Sequence, residues 1–266
     1  MKYQGAILLV AGLLFSSPQA AFASITPTNP LIVVPTTLGS FPAEGGPVLD
    51  PIFHTYDNLI ATFVANGYVE GQTLFPFPYN SEQSLVTTAQ QLADKVAEVQ
   101  VACTLTSGCD KVDIVGHGQG GLIAWQYAQT LGTTTVDQLV LLGTPLVGVP
   151  AAYLAAEGGI FRLHSAFVGR GLGQALLNAE AQDGGFPTAF AYVQSEAPAF
   201  SQLLPVVNYL FSNPNSYPNG YPTNPFIENL LFSGFGNAVV YNLAADTNAA
   251  LSTIQGFFVG PPHPSP

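Results

Sequence analysis

The sequence predicts an α/β fold with a mostly parallel central sheet and helices on both of its faces. Short, wholly apolar runs alternate along the chain with longer segments of helical periodicity. The first run, 31–34, ends at Pro35, as a strand buried on both faces does. A glycine-rich turn also joins one predicted strand directly to the next helix. Strands that alternate with helices favour a parallel sheet with right-handed connections.

The elements follow from these patterns in chain order. Apolar residues at 85, 89, 92, 96 and 99 recur at steps of four and three, which is typical of a helix with one apolar face. Prolines at 76 and 78 interrupt the second predicted strand. Predicted strands span 31–34, 73–79, 111–115, 136–142 and 237–243, and predicted helices span 57–65, 85–99 and 119–131.

The alternation breaks down between about residues 151 and 225. This stretch is rich in Gly, Ala, Phe, Tyr, Asn and Pro, and it predicts a lid-like insertion of short helices and loops rather than a second core. Its aromatic residues are expected to form either a lid and acyl pocket or ordinary core. They are Phe161, Phe167, Phe190, Tyr192 and Phe200.

The N-terminus has the pattern of a secretory signal. Lys2 precedes an apolar run over 6–15, and Ala21-Phe22-Ala23 matches a cleavage site. A membrane anchor is the alternative, but the run is short and ends in Ser-Ser-Pro. We therefore expect residues 1–23 to be a signal peptide, 24–260 a single domain, and 261–266 a proline-rich tail or linker. The mature protein is expected to be secreted and soluble.

Charge and cysteine content indicate which partners and which covalent links to expect. Charged residues make up 8% of the chain and the formal net charge is −11, which disfavours nucleic acid as a partner. The two cysteines, Cys103 and Cys109, form either a short disulfide loop in an exported protein or a pair of free thiols. No metal or organic cofactor is implied.

The main candidate for a functional site is the segment at 112–124, VDIVGHGQGGLIA. A strand runs through a glycine-rich turn into a helix, which is the context of the nucleophile elbow G-x-S-x-G. Gly116 and Gly120 are the outer glycines, which a sharp turn and close packing of strand and helix require. The middle position should carry a hydroxyl, but Gly118 occupies it and has no side chain.

The same turn has a second interpretation. Gly116, Gly118 and Gly121 form G-x-G-x-x-G between a strand and a helix, as in a dinucleotide site. That site normally follows the first strand of the sheet, whereas this turn comes later. The acidic residue expected at the end of the next strand is also missing, because Asp137 lies near that strand's start.

Four segments make the chain similar to bacterial lipases related to lecithin–cholesterol acyltransferase and lysosomal phospholipase. The resemblance covers roughly 30–260 and implies an α/β-hydrolase fold that acts on lipid esters. Besides the elbow glycine, Thr36 replaces a glycine and Leu146 a histidine of the family pattern. The segments are PTTLGS at 35–40, GHGQGG at 116–121, GTPLVGVP at 143–150 and NPFIENL at 224–230.

This resemblance also implies site residues. The main-chain N–H groups of Thr37 and Gln119 would form the oxyanion hole, a role that survives a change of side chain. Thr36 is expected to crowd the loop that carries one of these donors. His117 lies inside the elbow, where the family has a histidine without a catalytic role.

An acid and a histidine should follow the nucleophile in chain order. Asp246 and His263 are the one pair in that order, and they are the candidates. In the family the acid follows a later G-D-G-T-V-like segment, and this sequence stops first. His263 also lies between prolines in the tail. We therefore expect the acid and the base to be absent or poorly anchored.

Two functional hypotheses result. One is a lipase, esterase or lipid acyltransferase whose catalysis is impaired, as a serine-to-glycine variant or as part of a longer enzyme. The other is an inactive secreted module, a pseudoenzyme, that binds a lipid or another apolar ester. In both, the partner is an apolar ester, with transient contact to a lipid surface, and the protein is expected to be a monomer.

Overall fold

The computed structural model describes residues 27–105, 108–161, 171–211 and 213–244. Apart from the short strands β2 and β3, strands and helices alternate up to β6 within these ranges, as the sequence predicts. The strands are β1 (Leu31–Val34), β2 (Ser40–Phe41), β3 (Val48–Leu49), β4 (Leu74–Pro76), β5 (Val112–His117), β6 (Val136–Leu142) and β7 (Val239–Leu243). The helices are α1 (Asp57–Ala65), α2 (Leu85–Ala102), α3 (Gln119–Thr130), α4 (Pro150–Gly158), α5 (Leu172–Asp183), α6 (Ala189–Glu196), α7 (Ala199–Gln202) and α8 (Pro225–Ser233).

The central sheet has five described strands in the order β4-β1-β5-β6-β7, and every pairing in it is parallel. The predicted parallel sheet with flanking helices is confirmed. The strands β2 and β3 form a separate antiparallel pair. Since β5 lies in the middle of the sheet, the glycine-rich turn that follows it projects from the centre of the carboxyl edge.

The core explains why both faces of the strands are apolar. Alternate residues of β1 enter different clusters: Ile32 and Val34 pack on one face, and Leu31 and Val33 pack on the other. The first face is covered by α2 and α3. The predicted apolar positions of α2, namely Leu85, Ala89, Leu92, Val96 and Val99, are all buried there.

Proline shortens the second predicted strand. A strand was expected over 73–79, whereas β4 covers Leu74–Pro76 alone. Pro76 and Pro78 have no N–H to donate, so a regular ladder cannot continue through them. The N–H of Phe77 still donates to the carbonyl of Val33 at 2.8 Å, which keeps the chain beside β1.

The insertion consists of short helices and loops, as predicted, but the expectation that it lacks a core is wrong. Residues of α4 to α7 bury a cluster of their own around Leu177, Tyr192 and Phe200. A second cluster contains Leu154, Tyr209 and Tyr221. The aromatic residues of these clusters are spaced irregularly in the sequence, so no periodic pattern predicts that they pack together. Phe190, by contrast, is exposed, and Phe167 lies outside the described residues.

Several sequence predictions fall outside the described residues. These are the signal peptide at 1–23, the tail at 261–266, and both Asp246 and His263. In the described part of the chain, no helix has both the length and the apolar character needed to span a bilayer.

Candidate active site

The turn between β5 and α3 has the backbone of a nucleophile elbow. Strand β5 ends at His117, Gly118 alone forms the turn, and α3 starts at Gln119. Gly118 has φ 54° and ψ −122°, a conformation that L side chains rarely adopt and that costs of order 1–3 kcal/mol when they do. Its N–H donates to the carbonyl of Leu142 at 2.9 Å, and its carbonyl accepts from Gly121 at 3.1 Å. The turn is therefore fixed although no hydroxyl extends from it.

The other glycines of the turn are needed because strand, loop and helix approach closely. A Cβ on Gly116 would lie 2.5 Å from Gly121 Cα and 2.8 Å from Gly121 N. A Cβ on Gly120 would collide with the carbonyl oxygens of Val34 and Pro35. These contacts are to backbone, which cannot move aside cheaply. The outer glycines thus allow α3 to pack directly on the ends of β1 and β5.

The predicted oxyanion residues Thr37 and Gln119 are brought together by the fold. The Thr37 hydroxyl donates to Oε1 of Gln119. The Gln119 side chain is buried, and its Nε2 donates to the carbonyl of Ser81 at 2.8 Å. Among the described residues, neither the Thr37 N–H nor the Gln119 N–H has an acceptor. Two main-chain donors therefore remain available beside Gly118, one of them at the N-terminus of a 12-residue helix, where partial positive charge favours a negative oxygen.

Two tyrosines anchor the loop that carries Thr37, and the sequence motifs did not reveal either of them. The hydroxyl of Tyr56 accepts from the N–H of Thr36 at 2.8 Å. The hydroxyl of Tyr79 donates to the carbonyl of Pro35 at 2.8 Å. Both phenols are buried, and burial raises their pKa values, so both hydroxyls stay protonated. In the sequence, only the aromatic character of these two residues could have pointed to this anchoring role, and aromatic residues that merely pack in a core look the same.

His117 takes part in this anchoring. Its Nδ1 lies 2.8 Å from the Tyr56 hydroxyl, which already accepts from Thr36 and therefore has its own proton free to donate. Desolvation lowers the pKa of His117, so its ring is neutral at pH 7 and Nδ1 is the acceptor. This hydrogen bond links the last residue of β5 to Tyr56. The Nδ1 of His117 is therefore occupied and cannot take a proton from a nucleophile.

Neither described histidine is placed to act as the base of the site. His54 is exposed and pairs with Asp57 at 3.1 Å, three residues along the chain. His117 is engaged with Tyr56 as described. The sequence candidates Asp246 and His263 lie outside the described residues, so their pairing stays a prediction.

The two cysteines are bonded to each other. Cys103, directly after α2, is joined to Cys109 by a disulfide. Within the described residues there is no group of three His, Cys, Asp or Glu side chains able to hold a metal ion.

The comparison with protein-family models identifies the fold family. The model of the α/β-hydrolase fold matches residues 80–223, just over half of the chain. The chain belongs to the α/β-hydrolase fold family. This match includes the elbow and most of the insertion, and it favours the nucleophile-elbow interpretation of the glycine-rich turn over the dinucleotide site.

Two solved structures show remote similarity to this chain. A Lactobacillus plantarum protein assigned as a cell surface hydrolase is 10% identical, with 89% of this chain and 87% of that chain covered and a TM-score of 0.35. A prodiginine-pathway thioesterase of Streptomyces coelicolor is 14% identical over 90% and 87% of the two chains, with a TM-score of 0.34. The curated proteins include no sequence that matches this chain.

Proposed function

We propose that this member of the α/β-hydrolase family binds an apolar acyl ligand, an ester or a fatty acid, and has lost the rapid turnover typical of the fold. The observation that carries the proposal is the elbow itself. Its backbone and its glycines are in place, as are two main-chain donors that have no acceptor among the described residues, while Gly118 provides no nucleophilic oxygen. Without a nucleophile there is no acyl-enzyme, and the remaining donors bind a carbonyl or carboxylate oxygen.

The apolar character of the ligand is supported by the motifs and by the insertion. Four segments resemble those of lipases related to lecithin–cholesterol acyltransferase, as described above. The insertion adds packed aromatic rings, with Phe161 and Phe200 centroids 5.2 Å apart. Exposed apolar side chains at Phe211 and Phe232 suit contact with a lipid surface. Secretion, to which the N-terminal pattern and the disulfide point, is part of the same proposal.

Catalysis by a base outside the described residues is the second candidate. Asp246 and His263 follow β7 in the order that the fold requires, and a base there could activate water directly. The two candidates differ in one measurable property, since a binding module retains ligand without releasing product.

The test uses the full mature chain and two probes. Decanoate binding is measured by calorimetry, and hydrolysis of p-nitrophenyl butyrate is followed in the same buffer. We expect saturable binding of decanoate and hydrolysis far below the order of 1 per second that marks an ordinary enzyme. Turnover at that rate by the unaltered protein would refute the loss of catalysis. Absence of any binding would refute the acyl ligand.

Variants of Thr37 test whether the ligand binds at the elbow. Thr37→Val keeps the shape of the side chain but removes the hydroxyl that holds Gln119, and Thr37→Ser retains that hydroxyl. Weaker decanoate binding by Thr37→Val, with Thr37→Ser close to the parent, would locate the ligand beside the main-chain N–H groups of Thr37 and Gln119. Equal binding by both variants and the parent places it elsewhere on the protein.

A further inference from the structure

Thr36 and Gly118 compete for one space. A Cβ built on Gly118 collides with the Thr36 Oγ1 and lies 2.9 Å from the Thr36 Cβ, closer than real Cβ contacts. Rotating the Thr36 side chain would move its oxygen but not its Cβ, so the second collision stays. The next atom, Thr36 Cα, is 3.8 Å away, which is an ordinary contact. A side chain at 118 therefore fits only if residue 36 has no Cβ.

The main chain cannot relieve this collision easily. The N–H of Thr36 is held by Tyr56 at 2.8 Å, and its carbonyl accepts from Gly39 at 2.8 Å. On the other side, Gly120 packs against the carbonyls that precede the loop. Residue 36 is thus fixed from two directions, and residue 118 is fixed by the elbow.

We infer that Thr36 has taken over the side-chain position of the elbow, so that positions 36 and 118 hold an exchanged pair. The lipases that this sequence resembles combine a glycine at the first position with a serine at the second. Here the side chain is on the loop and the glycine is on the elbow. The absence of a hydroxyl at 118 is therefore coupled to the presence of Thr36, and it is not an isolated substitution.

The exchange also assigns Thr36 a role in specificity. Its Oγ1 overlaps the place that a Cβ of residue 118 would take, and the next residue, Thr37, bears one of the two N–H groups without an acceptor among the described residues. Thr36 is half-buried, and no described residue forms a hydrogen bond with this hydroxyl. It is the hydroxyl presented to a ligand at the elbow. This second part rests on the proposed acyl ligand, whereas the exchanged pair does not.

Gly143 provides a matched control for the steric part. It has φ 54°, the same value as Gly118, but a Cβ added to it meets nothing within 4 Å. Gly143→Ala therefore reports the strain of an alanine at positive φ without a collision. The thermal midpoint Tm is measured for Gly118→Ala and Gly143→Ala, each in the parent and in a Thr36→Gly background.

We expect Gly118→Ala to lower Tm by roughly 3–10 °C more than Gly143→Ala, because overpacking adds to backbone strain. In the Thr36→Gly background this excess should disappear, and the Gly143→Ala effect should stay unchanged. An equal loss for both alanines in the parent would overturn the exchanged pair, as would an excess that persists without Thr36. If Gly118→Ala does not fold alone, folding of Thr36→Gly/Gly118→Ala supports the pair, and its failure while Gly143→Ala folds refutes it.

The ligand part is tested with decanoate. Thr36→Val keeps the branched shape at Cβ but replaces the hydroxyl by a methyl group, whereas Thr36→Ser keeps the hydroxyl. We expect Thr36→Val to bind roughly 2- to 12-fold more weakly than the parent, as loss of one hydrogen bond predicts, and Thr36→Ser to bind like the parent. Undiminished binding by Thr36→Val would remove the hydroxyl's role. If the parent does not bind decanoate, the proposed acyl ligand fails together with this role, and the Tm comparison still decides the exchanged pair.

Discussion

Asp113 makes the stability of this protein depend on pH in a direction opposite to that of most carboxyl groups. It lies on β5 with only 9% of its surface exposed. Its Oδ1 accepts from Asn29 at 3.2 Å and from the N–H of Gln138 at 3.1 Å. Burial, with the nearby Asp137 carboxylate adding to it, raises the pKa of Asp113 from 3.8 to about 6. Hydrogen bonds and Lys111 offset part of this rise.

The sign follows from the raised pKa. Between pH 4 and 6 the folded protein holds a proton on Asp113 that the unfolded chain has released, so the free energy of unfolding falls as the pH rises through this range. A shift of about two pKa units corresponds to about 3 kcal/mol, of which about 2 to 3 kcal/mol is lost between about pH 4 and pH 7.5. That is a large share of the roughly 5–15 kcal/mol that stabilises a domain.

The perturbation is Asp113→Asn, which keeps an oxygen that accepts from Asn29 and Gln138 but does not ionise. Urea unfolding is followed through the fluorescence of Trp125, which is buried and is the only tryptophan in the sequence. Relative to the parent, the variant should gain about 2 to 3 kcal/mol in unfolding free energy on going from about pH 4 to pH 7.5. The unfolding free energies of parent and variant are compared at each pH because His117 also titrates. Its pKa is lowered by burial, so its effect on the unfolding free energy rises with pH and opposes that of Asp113. This effect is the same in both proteins and cancels in the comparison. A parent–variant difference that does not change with pH would refute this reasoning.

Two further predictions concern the loop and the disulfide. Thr37→Val leaves the buried Oε1 of Gln119 without its donor, so the unfolding free energy should fall by about 1–3 kcal/mol, while Thr37→Ser stays within about 0.5 kcal/mol of the parent. Urea unfolding checks both, and an equal loss in the two variants would show that the hydroxyl does not matter. Replacing Cys103 and Cys109 together by serine should lower the unfolding free energy by about 2 kcal/mol, since the bridge closes a loop of separation 6. Non-reducing unfolding of parent and variant measures this effect, and identical midpoints would contradict it.

The sequence alone determined the fold class, because hydrophobic patterning reflects which faces an element buries. Four of the five strands of the sheet, and the helices α1 and α3, occur within two residues of their predicted bounds, while α2 continues three residues beyond its predicted end. The glycines within residues 116–121 predicted the elbow, because a sharp strand-to-helix turn requires glycine at these positions. Where prolines broke the pattern, at 76 and 78, the predicted strand was too long, because side-chain character alone does not show where backbone hydrogen bonds stop.

Tertiary structure decided what the elbow contains. Thr36 and Gly118 are 82 positions apart, and only the parallel pairing of β1 with β5 places the end of one strand beside the turn after the other. Tyr56 and Tyr79 anchor the loop from separate parts of the chain for the same reason. Contacts between residues distant in sequence depend on packing and carry no local periodicity. The glycine at 118 was therefore visible in the sequence, but the threonine that fills its place became visible only in the folded chain.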